Sequence, residues 1–278
     1  MPSMKRLYQE SFGIGPSTSS TSSSPFSPIT PSNKKRKVSS TSTSSPKFPS
    51  IRQLLNQKHQ KEDRQKEQQK IQTKLDQIPP HIKKQYVAMD CEMVGIGSEG
   101  KKSALARVSI VDWFGKVILD KYVQVPIRVT DFRTHVSGVT PYHLQSQTGA
   151  ISPNECRKIV NEAILHRIVV GHALSNDFKA LFLTHPKSMI RDTAKYRPFQ
   201  RYSNSKWRPR KLKDLVVEHL VRSDGDRDNR NGNKDDEGEQ EGQTFLDFQR
   251  QSHDSVQDAQ ATMKLFQLVY YEWEKSLK

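Results

Sequence analysis

The sequence predicts an α/β domain, a mixed β-sheet flanked by helices, with a disordered N-terminal tail. Three observations predict it. From residue 85 onward, short apolar runs of strand length alternate with segments of helical period. The first three runs read as antiparallel neighbours and the later ones alternate with helices, the pattern of an α/β sandwich around a mixed sheet. Residues 1–50, in contrast, hold 16 Ser, 5 Thr and 7 Pro. Such a segment buries too little apolar area to offset its chain entropy and is expected to be disordered.

Taken in order, the tail carries the compact basic cluster Lys34-Lys35-Arg36-Lys37. A dense basic run in a mobile Pro/Ser-rich segment is what a nuclear import receptor binds in extended form, so it is assigned as a nuclear localisation signal. Residues 51–81 form a charged helical arm. Ser50 can cap it, helix formers fill it, and Pro79-Pro80 ends it. Its apolar residues Ile51, Leu54, Leu55, Ile71 and Leu75 are too sparse for a coiled coil.

Residues 82–278 are the folded domain. Tyr86–Met89 begins a strand; Ala104–Trp113 and Val117–Val125 are two more, joined as a hairpin at Phe114-Gly115-Lys116. Pro153–His166 reads as a helix capped by Ser152, and Ile168–Gly171 as a buried strand. Ser175 is the expected cap of a helix bearing Phe178, Leu181 and Phe182. Met189–Arg191 is a short strand, and Leu212–Val221 and Ser255–Lys275 are helical. Residues 223–243 contain no apolar residue and read as a disordered acidic insert.

Composition narrows the function classes. The 278 residues carry a formal net charge of +15, distributed as +9 over 1–80, +12 over 81–222, −5 over 223–243 and −1 over 244–278. That excess favours a polyanionic partner, most simply nucleic acid. No run of about 18 apolar residues occurs, so no membrane span or membrane partner is expected. The N-terminus lacks an apolar signal core, and two cysteines, Cys91 and Cys156, make neither a disulfide framework nor a four-Cys zinc site. A soluble, monomeric protein of a reducing compartment is expected.

Four carboxylates stand out. Asp90 and Glu92 lie two apart at the end of an apolar strand, so both face one side. Paired carboxylates repel and raise each other's pKa unless a cation compensates. Asp177 falls in the first turn of the helix after the buried strand. Asp258 lies near the start of the last helix, which Asp254 can cap with Gln257 three residues on. His253 sits just outside that helix. Carboxylates at element ends with one His match two-metal phosphoryl transfer: two Mg²⁺ or Mn²⁺ ions about 4 Å apart need hard oxygen ligands. His253, with an unperturbed pKa near 6.5, suits a general base.

The blocks Met89-Asp90-Cys91-Glu92-Met93-Val94-Gly95, Gly171-His172-Ala173-Leu174-Ser175-Asn176-Asp177-Phe178 and His253-(four residues)-Asp258-Ala259 resemble the three motifs of the DEDDh 3′→5′ exonucleases. The Asp-Cys-Glu-Met-Val-Gly form is similar to the Rex-type RNA exonuclease subfamily. So are the blocks at 106–111, 132–140 and 190–199. The resemblance covers about 82–222 and 244–275. It implies a ribonuclease H-like fold, with Asp90, Glu92, Asp177 and Asp258 as metal ligands and His253 as the base. It also implies 3′→5′ exoribonuclease action releasing nucleoside 5′-monophosphates, pre-ribosomal RNA as substrate, and work in ribosome biogenesis in the nucleus, at the nucleolus. Two departures are visible: a long acidic insert, and Gln257 where the family often has Glu.

A basic stretch could grip RNA. Arg191, Lys195, Arg197, Arg201, Lys206, Arg208, Arg210, Lys211 and Lys213 interleave with Tyr196, Phe199, Tyr202 and Trp207. Cations contact phosphates while rings stack on unpaired bases. Of these, Lys195, Arg197, Arg201, Arg208 and Arg210 are the expected RNA contacts. By resemblance, the backbone of Ser137-Gly138 approaches the terminal sugar; Met93 and Val94 pack against the terminal base or in the core. Cys91 is expected to be an inert core residue and His172 a structural one. An RNA-binding assembly factor with a dispensable nuclease site, and a DNA exonuclease, remain alternatives, since no residue pattern by itself reads a 2′-OH.

Overall fold

A computed structural model describes residues 51–221 and 253–277. The basic cluster Lys34–Lys37 and the acidic segment 223–243 lie outside the described residues.

The main sheet centres on β1 (Tyr86–Ile96). Beside it run β2 (Lys102–Asp112) and β3 (Val117–Tyr122), both antiparallel to their neighbours. On its other side lie β5 (Ile168–Gly171) and β6 (Ile190–Asp192), both parallel. The order is β3-β2-β1-β5-β6, and β4 (Val129–Asp131) pairs with the far end of β1. This is the mixed sheet that the alternation predicts, and the architecture is ribonuclease H-like. One feature of it creates the site. β5 pairs with β1 only at Tyr86–Ala88, so β1 runs on past the end of β5. Asp90 and Glu92 therefore stand where the sheet has lost a neighbour.

Strand alternation divides the core. Val87, Met89, Val108 and Ile110 face helices α2 (Pro153–Ile164) and α3 (Ser175–Leu181) through Cys156, Val160, Ile164, Phe178 and Leu181. Tyr86, Ala88, Val111 and Trp113 face α5 (Ser255–Leu268) and α6 (Tyr270–Ser276) through Ala259, Met263, Phe266 and Trp273. Each fully buried large apolar side chain contributes roughly 1.5–3 kcal/mol. Trp113 and Trp273 are packing residues.

Several local expectations shift. Helix α1 (Ile51–Asp76) forms, but its last turns and the residues just after it join the core: Leu75 and Ile78 are buried, and Ile71 packs beside them. The folded body thus begins before residue 82. Ser152 caps α2 by accepting from Glu155 N. Ser175 does not cap α3; Leu174 occupies that position in helical conformation after a left-handed Ala173. Gly171 explains the tight turn, since a Cβ there would lie 2.2 Å from Leu174 Cδ2. The last helix is two helices, broken at Val269 (φ −115°, ψ 11°), where Tyr270 turns into the aromatic cluster of Tyr86 and Trp113. Helix α4 (Leu212–Val216) passes into a π-turn at Val217–Val221.

A second, two-stranded sheet pairs β7 (Arg201–Ser203) with β8 (Lys206–Arg208). Asn204 and Ser205 both have positive φ, 50° and 59°, the requirement of a type I′ hairpin turn.

Candidate active site

β1 presents Asp90 and Glu92 on the face covered by α5. Asp258 rises to meet them from the first turn of α5. Ligand oxygens of these three carboxylates all lie within 4.8 Å of one another. The helix is placed by its cap: Asp254 Oδ1 accepts from Val256 N at 2.9 Å and Gln257 N at 3.1 Å. That leaves His253 just before the cap, with Nδ1 3.0 Å from Asp258 Oδ2. His253 N donates to Val136 O at 2.6 Å, which ties the 134–137 turn to the site.

Asp177 is buried in the first turn of α3 but stands outside the group of three. Its carboxylate lies beside the Cys91 thiol. Cys91, expected to be inert core, packs partly buried against that core, and burial pushes its thiol well above the usual range. Asp177 is nevertheless close enough for its charge to act on Asp90.

The electrostatics are those of an acidic pocket. Burial, then the charges of Asp258, Asp177 and Glu92, push the Asp90 carboxyl well above the usual range. Burial and Asp258 push Glu92 up to about 8, against the opposing pull of His253 and Arg107. Burial raises Asp177 to about 7. Among the described residues, Glu92 Oε1 and Asp258 Oδ1 are buried without a hydrogen-bond partner. Orphaned acceptors on mutually repelling carboxylates fit a hard divalent cation, which satisfies both deficits at once.

The basic and aromatic residues between 191 and 213 separate into two groups. Arg201 and Arg208 are exposed on the hairpin, Lys195 is exposed beside Asp192 at 3.3 Å, and the Arg197 guanidinium lies 4.5 Å over the Trp207 ring. Tyr202 and Trp207 are 63% and 43% exposed, with ring centres 5.2 Å apart. Arg210 is paired with Glu218. Arg191, however, is buried and forks onto Glu274 at 2.7 and 2.9 Å. Tyr196 stacks on Trp273, and Phe199 is buried against Leu212, Leu215 and Leu265. These three belong to the core, not to an RNA surface.

The terminal-nucleotide expectations also change. Val94 is fully buried with Ile96, Ala104 and Val139, so it cannot touch a base; Met93 is partly buried. Ser137 N and Gly138 N close the 134–137 turn on Arg133 O and Thr134 O, and Ser137 Oγ bonds Phe132 O. Those N–H groups are thus committed within the turn. His172 Nδ1 lies 2.9 Å from Thr193 Oγ1, a structural role as expected. Sequence reasoning missed Arg107, Ser109 and Ser255, which bind the cap region to the sheet. The visible signal was Asp254, an acidic cap beside the motif His.

A ribonuclease H-like sheet carrying clustered acids and a paired His defines a DEDDh-type nuclease domain. No family model matches the chain. It is 44% identical over 193 residues to RNA exonuclease 4 of Debaryomyces hansenii, covering 69% of this chain and 60% of that protein. With RNA exonuclease 4 of Candida albicans it is 42% identical over 193 residues, covering 69% and 58%. The pseudoubiquitin hydrolase–RNA exonuclease module of Saccharomyces cerevisiae Pan2, solved with AAGGA RNA, matches with a TM-score of 0.51 and 27% identity, covering 73% of this chain and 32% of that one. Over the residues they share, the chain is similar to the Rex-type DEDDh 3′→5′ exonucleases. It spans about 60% of the length of these two relatives.

Proposed function

We propose that this chain is a metal-dependent 3′→5′ exoribonuclease that releases nucleoside 5′-monophosphates. The observation that carries the reading is the convergence of Asp90, Glu92 and Asp258 beside His253. Two Mg²⁺ or Mn²⁺ ions would be held by these carboxylates with Asp177 at the margin; bound there, they supply Lewis acidity for phosphodiester hydrolysis. The chain's own groups do the rest. Asp258 accepts at His253 Nδ1, which fixes the proton there and leaves Nε2 to take a proton from water. The side chain of His253 is half-exposed, so water reaches it. The hairpin holds unpaired RNA, with Arg201 and Arg208 at phosphates and Tyr202 and Trp207 against bases.

The likeness to RNA exonuclease 4 supports work on pre-ribosomal RNA, and Lys34–Lys37 supports entry into the nucleus through an import receptor, with the nucleolus as the place of action. The test is digestion of a 5′-labelled RNA with Mg²⁺. Wild type should shorten it stepwise from the 3′ end, and Asp90→Ala should not. Full activity in Asp90→Ala overturns the reading. Loss of the chain from cells should leave 3′-extended ribosomal RNA precursors; unchanged 3′ ends overturn the processing role.

A further inference from the structure

Arg107 lies directly across the β1–β2 ladder from Glu92. Its side chain is only 12% exposed. Nε and Nη2 fork onto Asp120 of β3 at 2.8 and 2.9 Å. Nη1 reaches the other way, to Asp254 Oδ2 at 3.0 Å. The guanidinium lies 5.2 Å over the Tyr122 ring. Asp254 therefore divides its oxygens: Oδ1 caps α5 and Oδ2 accepts from Arg107. A second strap runs parallel. Ser109 pairs in register with Asp90, and its Oγ lies 2.9 Å from Asp120 Oδ1 and 2.7 Å from Ser255 Oγ.

The clamp acts where the site needs it. Asp258 N donates to Asp254 O at 2.8 Å, and His253 precedes Asp254 in the chain. Displacing the cap would carry both functional side chains with it. A restraint is needed because Asp90 and Glu92 repel Asp258 when ionised, and that repulsion would drive the helix end away from the strand. The bidentate fork makes Arg107 directional as well as charged, which a lysine would not reproduce.

We propose that Arg107 is the positioning residue of the metal centre. By holding the α5 cap to β2 and β3, it sets the distance between strand-borne Asp90 and Glu92 and helix-borne Asp258 and His253. The inference rests on the metal-dependent nuclease reading and adds a residue for which that reading has no role.

The experiment uses the full chain as wild type, R107M, R107K, D254N and R191M. Mn²⁺ binding is titrated by the paramagnetic signal of the free ion, and kcat and KM are measured on labelled single-stranded RNA. R107M should weaken Mn²⁺ binding about tenfold or more, as loss of a supporting partner does at other metal sites. It should lower kcat with little change in KM, and R107K should fall between. D254N guards against misfolding, since Asn caps a helix as well as Asp does. Its Tm should stay near wild type while its Mn²⁺ affinity falls with that of R107M. R191M breaks another buried ion pair and should lower Tm without moving Mn²⁺ affinity. Wild-type Mn²⁺ affinity in R107M and D254N, or a loss no larger than in R191M, overturns the proposal. If wild type neither binds Mn²⁺ nor shortens RNA, the nuclease reading itself fails and takes this inference with it.

Discussion

His253 Nδ1 and Asp258 Oδ2 are 3.0 Å apart, across the start of a helix that places both at the sheet. Their hydrogen bond raises the pKa of His253 above 6.5, against the opposing effect of burial. A raised histidine stabilises the fold fully below its unfolded pKa, and that stabilisation is lost as pH rises through the folded value. In the metal-free protein, the ring-proton NMR titration of His253 should therefore have its midpoint above 6.5, and Asp258→Asn should bring it down. A wild-type midpoint at or below 6.5 would contradict the pairing. His253→Gln should lower kcat by about 10²–10⁴ while Mn²⁺ still binds, the usual contribution of a general base.

Glu92 has the opposite sign. Burial and Asp258 raise it to about 8, so ionising it costs folding free energy. The cost begins above the unfolded value of 4.5 and grows until pH reaches about 8. A carboxyl whose pKa is raised by one loses about 1.4 kcal/mol once it is fully ionised. Metal-free protein should thus lose stability between these pH values, and Glu92→Gln should flatten the loss and raise Tm at pH 8. Divalent metal needs the carboxylate ionised, so its binding at pH 7 should release protons. Calorimetry in two buffers of different ionisation enthalpy reads that release directly; equal heats in both would refute it.

The Tyr202–Trp207 pair is exposed on a hairpin flanked by Arg201 and Arg208. Stacking contributes about 1–3 kcal/mol per base. The double variant Tyr202→Ala/Trp207→Ala should weaken single-stranded RNA binding by about tenfold or more, with Tm close to wild type because neither ring is in the core. Hydrolysis of a dinucleotide, which offers few bases for stacking, should be spared. Unchanged affinity for a long strand would show that the hairpin is not on the RNA path.

What the sequence made legible was periodicity and chemistry. The strand around Asp90, the Ser152 cap and the Asp254 cap follow from local rules, and the structure keeps them. The meeting of Asp90, Glu92 and Asp258 required the motif resemblance, because the last follows the first two by more than half the chain and no local rule brings them together. The failures have a common cause. Tyr196, Phe199 and Arg191 sit among cations and read as surface, yet Phe199 and Arg191 are buried and Tyr196 half-buried against helices α5 and α6, which arrive about 65 to 85 residues later, at Leu265, Trp273 and Glu274. Composition reports the neighbours in sequence, and burial depends on neighbours in space. The hairpin was missed for a different reason: Asn204-Ser205 is a weaker type I′ signal than Asn-Gly.

Arg191 gives the sharpest test of that distinction. Its Nε and Nη2 bond Glu274, and Nη1 bonds Ser188 O at 2.7 Å. Every nitrogen of its guanidinium is thereby committed within the fold. Arg191→Met would strand the Glu274 carboxylate, and breaking a buried pair from one side costs about 3–5 kcal/mol. Tm should fall by roughly 6–20 °C for a domain of this size. RNA affinity of the folded protein, and its slope against log salt, should not change. Arg201→Ala and Arg208→Ala should behave in reverse, with Tm unchanged and the salt slope reduced by about one for each phosphate left without its cation. Thermal unfolding paired with binding at several salt concentrations separates the two classes. A reduced salt slope in Arg191→Met at full stability would return Arg191 to the RNA surface.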